Sequence, residues 1–120
     1  MTKFFVISTN TELLRVPSDR LMFITSDGNY SKVYTQDGRC RQVASQLGQI
    51  ESSIGEQFRD KESPFIRIGK SLIVNRDFIH LIDVSKQTII ISDCQGQYHT
   101  LQASRKALLQ TKILIENSVL

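Results

Sequence analysis

Short apolar segments, each closed by a turn signal, dominate this chain and limit what it can fold into. After Pro64 come 65-FIRIGKSLIVN-75, 78-FIHLIDV-84, 87-QTIIISD-93 and 98-YHTLQA-103, bounded throughout by turn-forming or charged residues. Runs this short, rich in β-branched and aromatic side chains and spaced by about ten residues, predict an antiparallel all-β assembly. The first half reads the same way. Leu14-Arg-Val-Pro17 is a short extended piece, and 20-RLMFITSDG-28 is an apolar run ended by Asp27-Gly28. The stretch 30-YSKVYTQDGRCRQV-43 alternates Tyr30, Lys32 and Tyr34 against Ser31, Val33 and Thr35, and carries a second Asp-Gly pair at Asp37-Gly38. Asp-Gly between strand-like segments signals a hairpin, because glycine reaches positive φ without a Cβ clash.

One segment departs from this pattern. In 42-QVASQLGQIESSIGEQF-58 the residues Val43, Leu47, Ile50, Ile54 and Phe58 recur at the three- and four-residue spacing of one helical face. Gly48 and Gly55 weaken it, so the expectation is a helix of about two or three turns. The predicted fold is therefore all-β (mostly β): short antiparallel strands in small packed sheets with one short amphipathic helix. A helix-turn-helix pair is not expected, since only one amphipathic helix can be drawn.

At 120 residues, with 40% apolar and 22% charged positions, the chain has the size and composition of a single folding domain, residues 1–120. Its isolated prolines and scattered glycines form no linker, and no internal repeat is present. The apolar run at the start, Phe4 to Ile7, is too short for a signal sequence or membrane span, which predicts a cytoplasmic protein. Cys40 and Cys94 have neither disulfide-framework nor metal-box spacing and are expected to be reduced, buried packing thiols.

Enzymatic chemistry finds little purchase. The two histidines, His80 and His99, lie in strand-like segments and are expected on solvent faces. The glycines never cluster into a phosphate-cradling loop, and no Cys/His pair has metal-ligand spacing, so no cofactor and no metal are expected. Basic residues, in contrast, gather at predicted turns and strand ends. Arg67, Lys70 and Arg76 occur between Pro64 and Arg76 without an acid, as do Arg105, Lys106 and Lys112 between Gln95 and Ile115. Local fields of one sign suit an anionic partner such as nucleic acid, although the net charge is only +3 and ordinary solvated charge explains them equally well.

The segment 65-FIRIGKSLIVNRDFI-79 resembles the most recognisable stretch of the LytTR family of bacterial DNA-binding domains, through Phe65, Arg67, Lys70-Ser71, Val74-Asn75 and Ile79. In the same order, 20-RLMFITSDGNYSKVYT-35 is similar to the family's opening hairpin with its Gly-Asn-Tyr turn, 45-SQLGQIESSI-54 to its serine-leucine helix, and 103-ASRKALLQ-110 to its closing Ser-Arg-basic turn. The resemblance runs from about residue 12 to 112. Gly69 stands where the family usually has a histidine, Arg20 where an acid is common, and Leu21 in place of an isoleucine. Most members carry a receiver domain upstream; here about eleven residues precede the similar region.

The resemblance implies a sequence-specific regulator of transcription, related to response regulators, that reads the major groove of double-stranded DNA with loops between strands. Carried onto this chain, it places Ser31 at a base edge and Lys32 at a guanine or phosphate in a first loop, Asn29 to Lys32, with the Tyr30 ring packed on the sheet. A second group is Arg67 on a phosphate, Lys70 at the backbone or minor groove, and Ser71, while Asn75 is expected to use positive φ and cap its own turn. Ser104, Arg105 and Lys106 form the third. One of the two cations should reach a base, and the residues do not decide which. A single module has a modest footprint, so repeated half-sites and a homodimer on DNA are expected, with the apolar tail 113–120 either a dimer contact or a final strand or frayed end. The partner is then duplex DNA, with no membrane and no small-molecule substrate. Two other readings stay open: a small β-barrel module that binds a protein or peptide without touching DNA, and an inactive remnant that regulates full-length relatives.

Overall fold

The computed structural model describes residues 3–59 and 63–119. The chain forms two compact units that divide between Asp77 and Phe78. In the first, β1 (Phe4–Ser8) and β2 (Leu13–Pro17) make a hairpin, and β3 (Leu21–Asp27), β4 (Tyr30–Thr35), β5 (Cys40–Val43), β6 (Phe65–Ile68) and β7 (Leu72–Asn75) make a five-stranded sheet, with α1 (Leu47–Gln57) between β5 and β6. Sheet order is β5-β4-β3-β7-β6, antiparallel throughout. The β3–β4 hairpin turns through Gly28 and Asn29, with Asp27 paired to Tyr30. Positive φ occurs at Gly28, the first central position, as in a type II′ turn. At Asp37-Gly38 the Asp37 carboxylate accepts from Thr35 Oγ1 (2.6 Å) and from the Arg39 amide (3.1 Å), closing the β4–β5 turn.

One face of this sheet is covered by α1 and the β1–β2 hairpin. Phe5, Ile7, Val16, Ile24, Val33, Ile73 and the helical residues Leu47, Ile50 and Ile54 are buried together there. Phe58 and Phe65 close the cluster around Phe5, with ring centroids 5.7 to 6.1 Å apart. Val43 fits the helical spacing by coincidence. It ends β5 opposite Ser31 and is buried from the strand side. Helix α1 starts after it, where Gln49 Oε1 accepts from the Gln46 amide (2.9 Å). At the other end of the helix the Gln57 amide pairs with both backbone groups of Val6, at 2.9 and 2.8 Å, and thereby fastens α1 to β1.

Asn75 is fully buried. Its Nδ2 donates to the carbonyls of Ser18 (3.1 Å) and Leu21 (2.9 Å), and its Oδ1 accepts from the Asp77 amide (2.9 Å). The predicted turn role holds for the Asp77 bond. Positive φ does not, since Gln87 and Cys94 are the non-glycine residues with that backbone. The larger task of this side chain is to satisfy carbonyls at the start of β3, far away in sequence.

The second unit contains β8 (Ile79–Asp83), β9 (Thr88–Ser92), β10 (Tyr98–Gln102) and α2 (Arg105–Val119). The strands pair antiparallel in the order β10-β9-β8, and α2 contacts β8. Ile89, Ile91 and Leu108 are fully buried. Asp93 organises the β9–β10 turn by accepting from the amides of Gln95 (2.7 Å) and Gln97 (3.0 Å), which hold its carboxyl below the usual 3.8. The fold is mostly β as expected, but the described residues form two α-helices. The stretch read as a closing turn and an apolar tail is the single helix α2, while Leu120 lies outside the described residues. Ser104 accepts from the Ala107 amide (3.2 Å) and starts it, and Ala107, Leu108, Thr111 and Ile115 face inward at helical spacing. Cys40 and Cys94 are exposed, the first opening an edge strand and the second in a turn at φ 64°.

Two kinds of substitution test this account. Asn75→Asp keeps the acceptor but loses both donated bonds and buries a charge, so stability should fall by more than about 2 kcal/mol, read as a lower denaturant midpoint at unchanged slope. Gly48 and Gly55 sit in α1 with open space where a Cβ would go. Alanine at either position should raise stability by roughly 0.5–1 kcal/mol, measured in the same unfolding assay.

Candidate nucleic-acid interface

Pairing on both edges of β3 brings two turns to one end of the first sheet. Thr25 is opposite Lys32 on β4 and opposite Leu72 on β7, so these three residues form a row across the sheet. Just beyond that row lie the β3–β4 turn at Gly28-Asn29 and the β6–β7 turn at Gly69-Lys70-Ser71. The Ser26 amide donates to the Ser71 carbonyl at 3.0 Å and joins the two turns directly. Asn29 Oδ1 accepts from Gln46 Nε2 (3.0 Å), which adds the start of α1 to the same end.

Of the residues expected in the first loop, Lys32 projects as anticipated. It is half-exposed and only loosely paired with Asp27, at 3.9 Å. So exposed an ion pair contributes roughly 0–1 kcal/mol and leaves the ammonium free to exchange partners. Ser31 points the other way. It is fully buried and donates its hydroxyl to the Ser45 carbonyl at 2.7 Å, tying β4 to the approach of α1. Alternation explains the difference: neighbouring strand residues point to opposite faces, so Ser31 and Lys32 cannot both project outward. Tyr30, expected to pack on the sheet, is 47% exposed at the tip of the hairpin.

In the second group, Lys70 and Ser71 are exposed on the β6–β7 turn. Arg67 is not free for a phosphate in this conformation. Its Nε donates to the Gly69 carbonyl (2.9 Å), Nη2 to the Lys70 carbonyl (3.0 Å), and Nη1 to Glu51 Oε1 on α1 (2.9 Å). One guanidinium thus holds the turn in shape and braces it against the helix. Gly69, where a histidine is usual, takes φ 64° to make that turn. Its positive φ accounts for glycine here, a conformation that side-chain-bearing residues adopt only at a cost.

The third group belongs to the second unit. Ser104 is the N-cap of α2, and Arg105 and Lys106 are exposed in its first turn, not on a loop. That turn contains no acid. Both cations therefore sit at the positive end of the helix dipole, an arrangement that costs stability in the free protein and that an anion would relieve. Neither the sheet-end role of Gln46 nor the helical setting of Arg105 was readable beforehand. A Ser-x-x-Ala start ahead of a run of good helix formers was the available signal for the second.

His80 is exposed and stacks at 5.1 Å on Tyr98, and His99 is half-buried. Among the described residues no group of three or more His, Cys, Asp or Glu side chains is placed to hold a metal ion, and no helix is long and apolar enough to cross a membrane. The clamp at Arg67 makes a direct prediction. Lysine keeps the charge but cannot form the three-way fork, so Arg67→Lys should speed amide exchange at Gly69 to Ser71 and lower stability by about 1–2 kcal/mol, whereas a residue held only by charge would tolerate the change.

No curated protein matches the chain. Among solved structures, the LytTr DNA-binding domain of a putative methyl-accepting/DNA response regulator from Bacillus cereus is similar in fold, with a TM-score of 0.64 at 19% identity, covering 96% of this chain and 98% of that one. The sequence profile of the LytTr DNA-binding domain matches residues 11–114, nearly the whole chain, which therefore belongs to the LytTR family of DNA-binding domains.

Proposed function

We propose that this protein regulates transcription by binding specific sites on double-stranded DNA, inserting the turns at the end of its five-stranded sheet and the start of α2 into the grooves. The observation that carries this reading is the joining of two turns by the Ser26–Ser71 hydrogen bond, with Lys32, Lys70 and Ser71 exposed beside it. A rigid turn is what groove reading needs, because donors fixed before binding lose little entropy on contact. Ser71 and Asn29 can donate or accept at a base edge, and Lys70, its backbone fixed by Arg67, can reach a phosphate or a guanine. In this reading Ser31 and Arg67 act as positioning residues behind the contact surface.

Arg105 and Lys106 supply the second contact region, and the cost of two cations at a helix N-terminus supports an anionic partner there. A single module of this kind covers on the order of 600–1,000 Å², so tight binding at physiological salt is expected from copies on repeated half-sites, with or without a direct contact between them.

Selection of the purified protein against random duplex DNA at two salt concentrations tests the proposal. A repeated motif should be enriched, and Lys70→Ala or Lys106→Ala should lower the slope of log affinity against log salt by about 0.9 for each phosphate that the lysine neutralises. Arg105→Glu should abolish enrichment while raising thermal stability by about 0.3–1 kcal/mol, since it replaces a cation with an anion at the helix start. Absence of any enriched sequence at low salt would overturn the proposal and favour a protein partner.

A further inference from the structure

The β4–β5 turn lies at the opposite end of β4 from the paired turns, about 20 Å away for a six-residue strand. There the sheet and β2 flank an open cavity of about 250 Å³. Four arginines with exposed side chains are in its lining, Arg15 on β2, Arg20 just before β3, and Arg39 and Arg41 at the start of β5. Its apolar part is Leu14, Val16 and Val33, and Asp37 is the carboxylate in its lining.

The charges in this cavity are poorly compensated. Asp37 is committed to its own turn, where the Thr35 hydroxyl and the Arg39 amide hold its carboxyl below the usual 3.8. It reaches Arg39 Nε only at 3.5 Å. Among the described residues, no carboxylate lies within ion-pairing distance of Arg15, Arg20 or Arg41. Arg15 is held over the Phe4 ring at 3.5 Å, a contact that orients the guanidinium without neutralising it. An adjoining trough shares Leu14, Arg15 and Arg41, and brings in Glu12 at its far side.

We infer that this cavity binds a small organic phosphate, with the phosphate among the arginine side chains and the carbon skeleton toward the half-buried Leu14. Guanidinium matches phosphate geometry through paired N–H donors. Four of them against one committed carboxylate call for a ligand of more than one negative charge, which a phosphomonoester supplies near neutral pH. The volume admits a few-carbon compound. Phosphate could also come from a nucleic-acid backbone. The distance from the joined turns separates this cavity from the proposed reading surface, and its apolar side at Leu14 favours the free small molecule. The site is independent of whether the protein reads DNA.

Amide and arginine side-chain resonances of the full chain, followed by NMR during titration with glycerol 3-phosphate, test the inference. Inorganic phosphate, sodium chloride at equal ionic strength and a short DNA duplex serve as separate arms. Glycerol 3-phosphate should produce saturable shifts at Arg15, Arg20, Arg39 and Arg41. Arg20→Gln and Arg41→Gln should each weaken binding by about tenfold, and Lys70→Ala should leave it unchanged. Shifts matched by sodium chloride, or equal binding of inorganic phosphate, would reduce the site to an adventitious ion site and overturn the inference. Shifts at these arginines with duplex DNA but not with glycerol 3-phosphate would overturn it too, assigning the cluster to the DNA backbone. Because these arms are read on the unmodified protein, the conclusion does not depend on the variants folding.

Discussion

The double pairing of β3 is the constraint on which the first unit depends. Its partner on one side, β4, follows at once through a tight turn, but its partner on the other, β7, returns only after β5, α1 and β6. Closing that long loop is entropically expensive and must be offset locally. Asn75 is one place where this happens: at the end of β7 it reaches back to the carbonyls of Ser18 and Leu21, and locks the far strand to the entry of β3. Ser26 and Ser71 finish the same pairing at its other end. The two exposed turns are neighbours because this one strand accepts two partners.

A division of labour among polar side chains follows. Several residues that look like surface chemistry in the sequence work behind the surface: Ser31 on the Ser45 carbonyl, Arg67 on the β6–β7 turn, and Gln57 on Val6. Each replaces a missing backbone partner, and so permits turns and strand ends to sit where regular ladders cannot reach. The side chains left outside, Lys32 on β4 and Lys70 and Ser71 on the β6–β7 turn, are then carried by backbone whose conformation is already decided.

Much of this was legible in the residues. The two Asp-Gly turns, the short strands and the inward stripe Leu47, Ile50, Ile54 and Phe58 follow from local rules, and the family resemblance rests on motifs in a fixed order. What escaped was tertiary in origin. Val43 satisfies a helical period and a strand equally, and only the Gln46–Gln49 cap decides between them. The apolar cluster Ile113-Leu114-Ile115 disguises the end of α2 as a strand, although Ser104 and Ala107 mark its beginning. The inward turn of Ser31 is a consequence of pleat alternation, with Lys32 outward on the next position, and the Arg67 bond to Glu51 depends on where α1 comes to rest. The exposed settings of Cys40 and Cys94 depend on edges and turns that composition does not reveal.

The cations that open α2 also bear on how this chain tolerates change. Arg105 and Lys106 occupy positions where an acidic residue would make a better helix, so any search for hardier variants scored on folding alone would tend to remove them first. On the proposed reading, positions that weaken the unbound state and are nevertheless filled by the unfavourable charge trade durability for use. For an engineer, the start of this helix is the part of the molecule where a gain in heat resistance should be regarded with most suspicion.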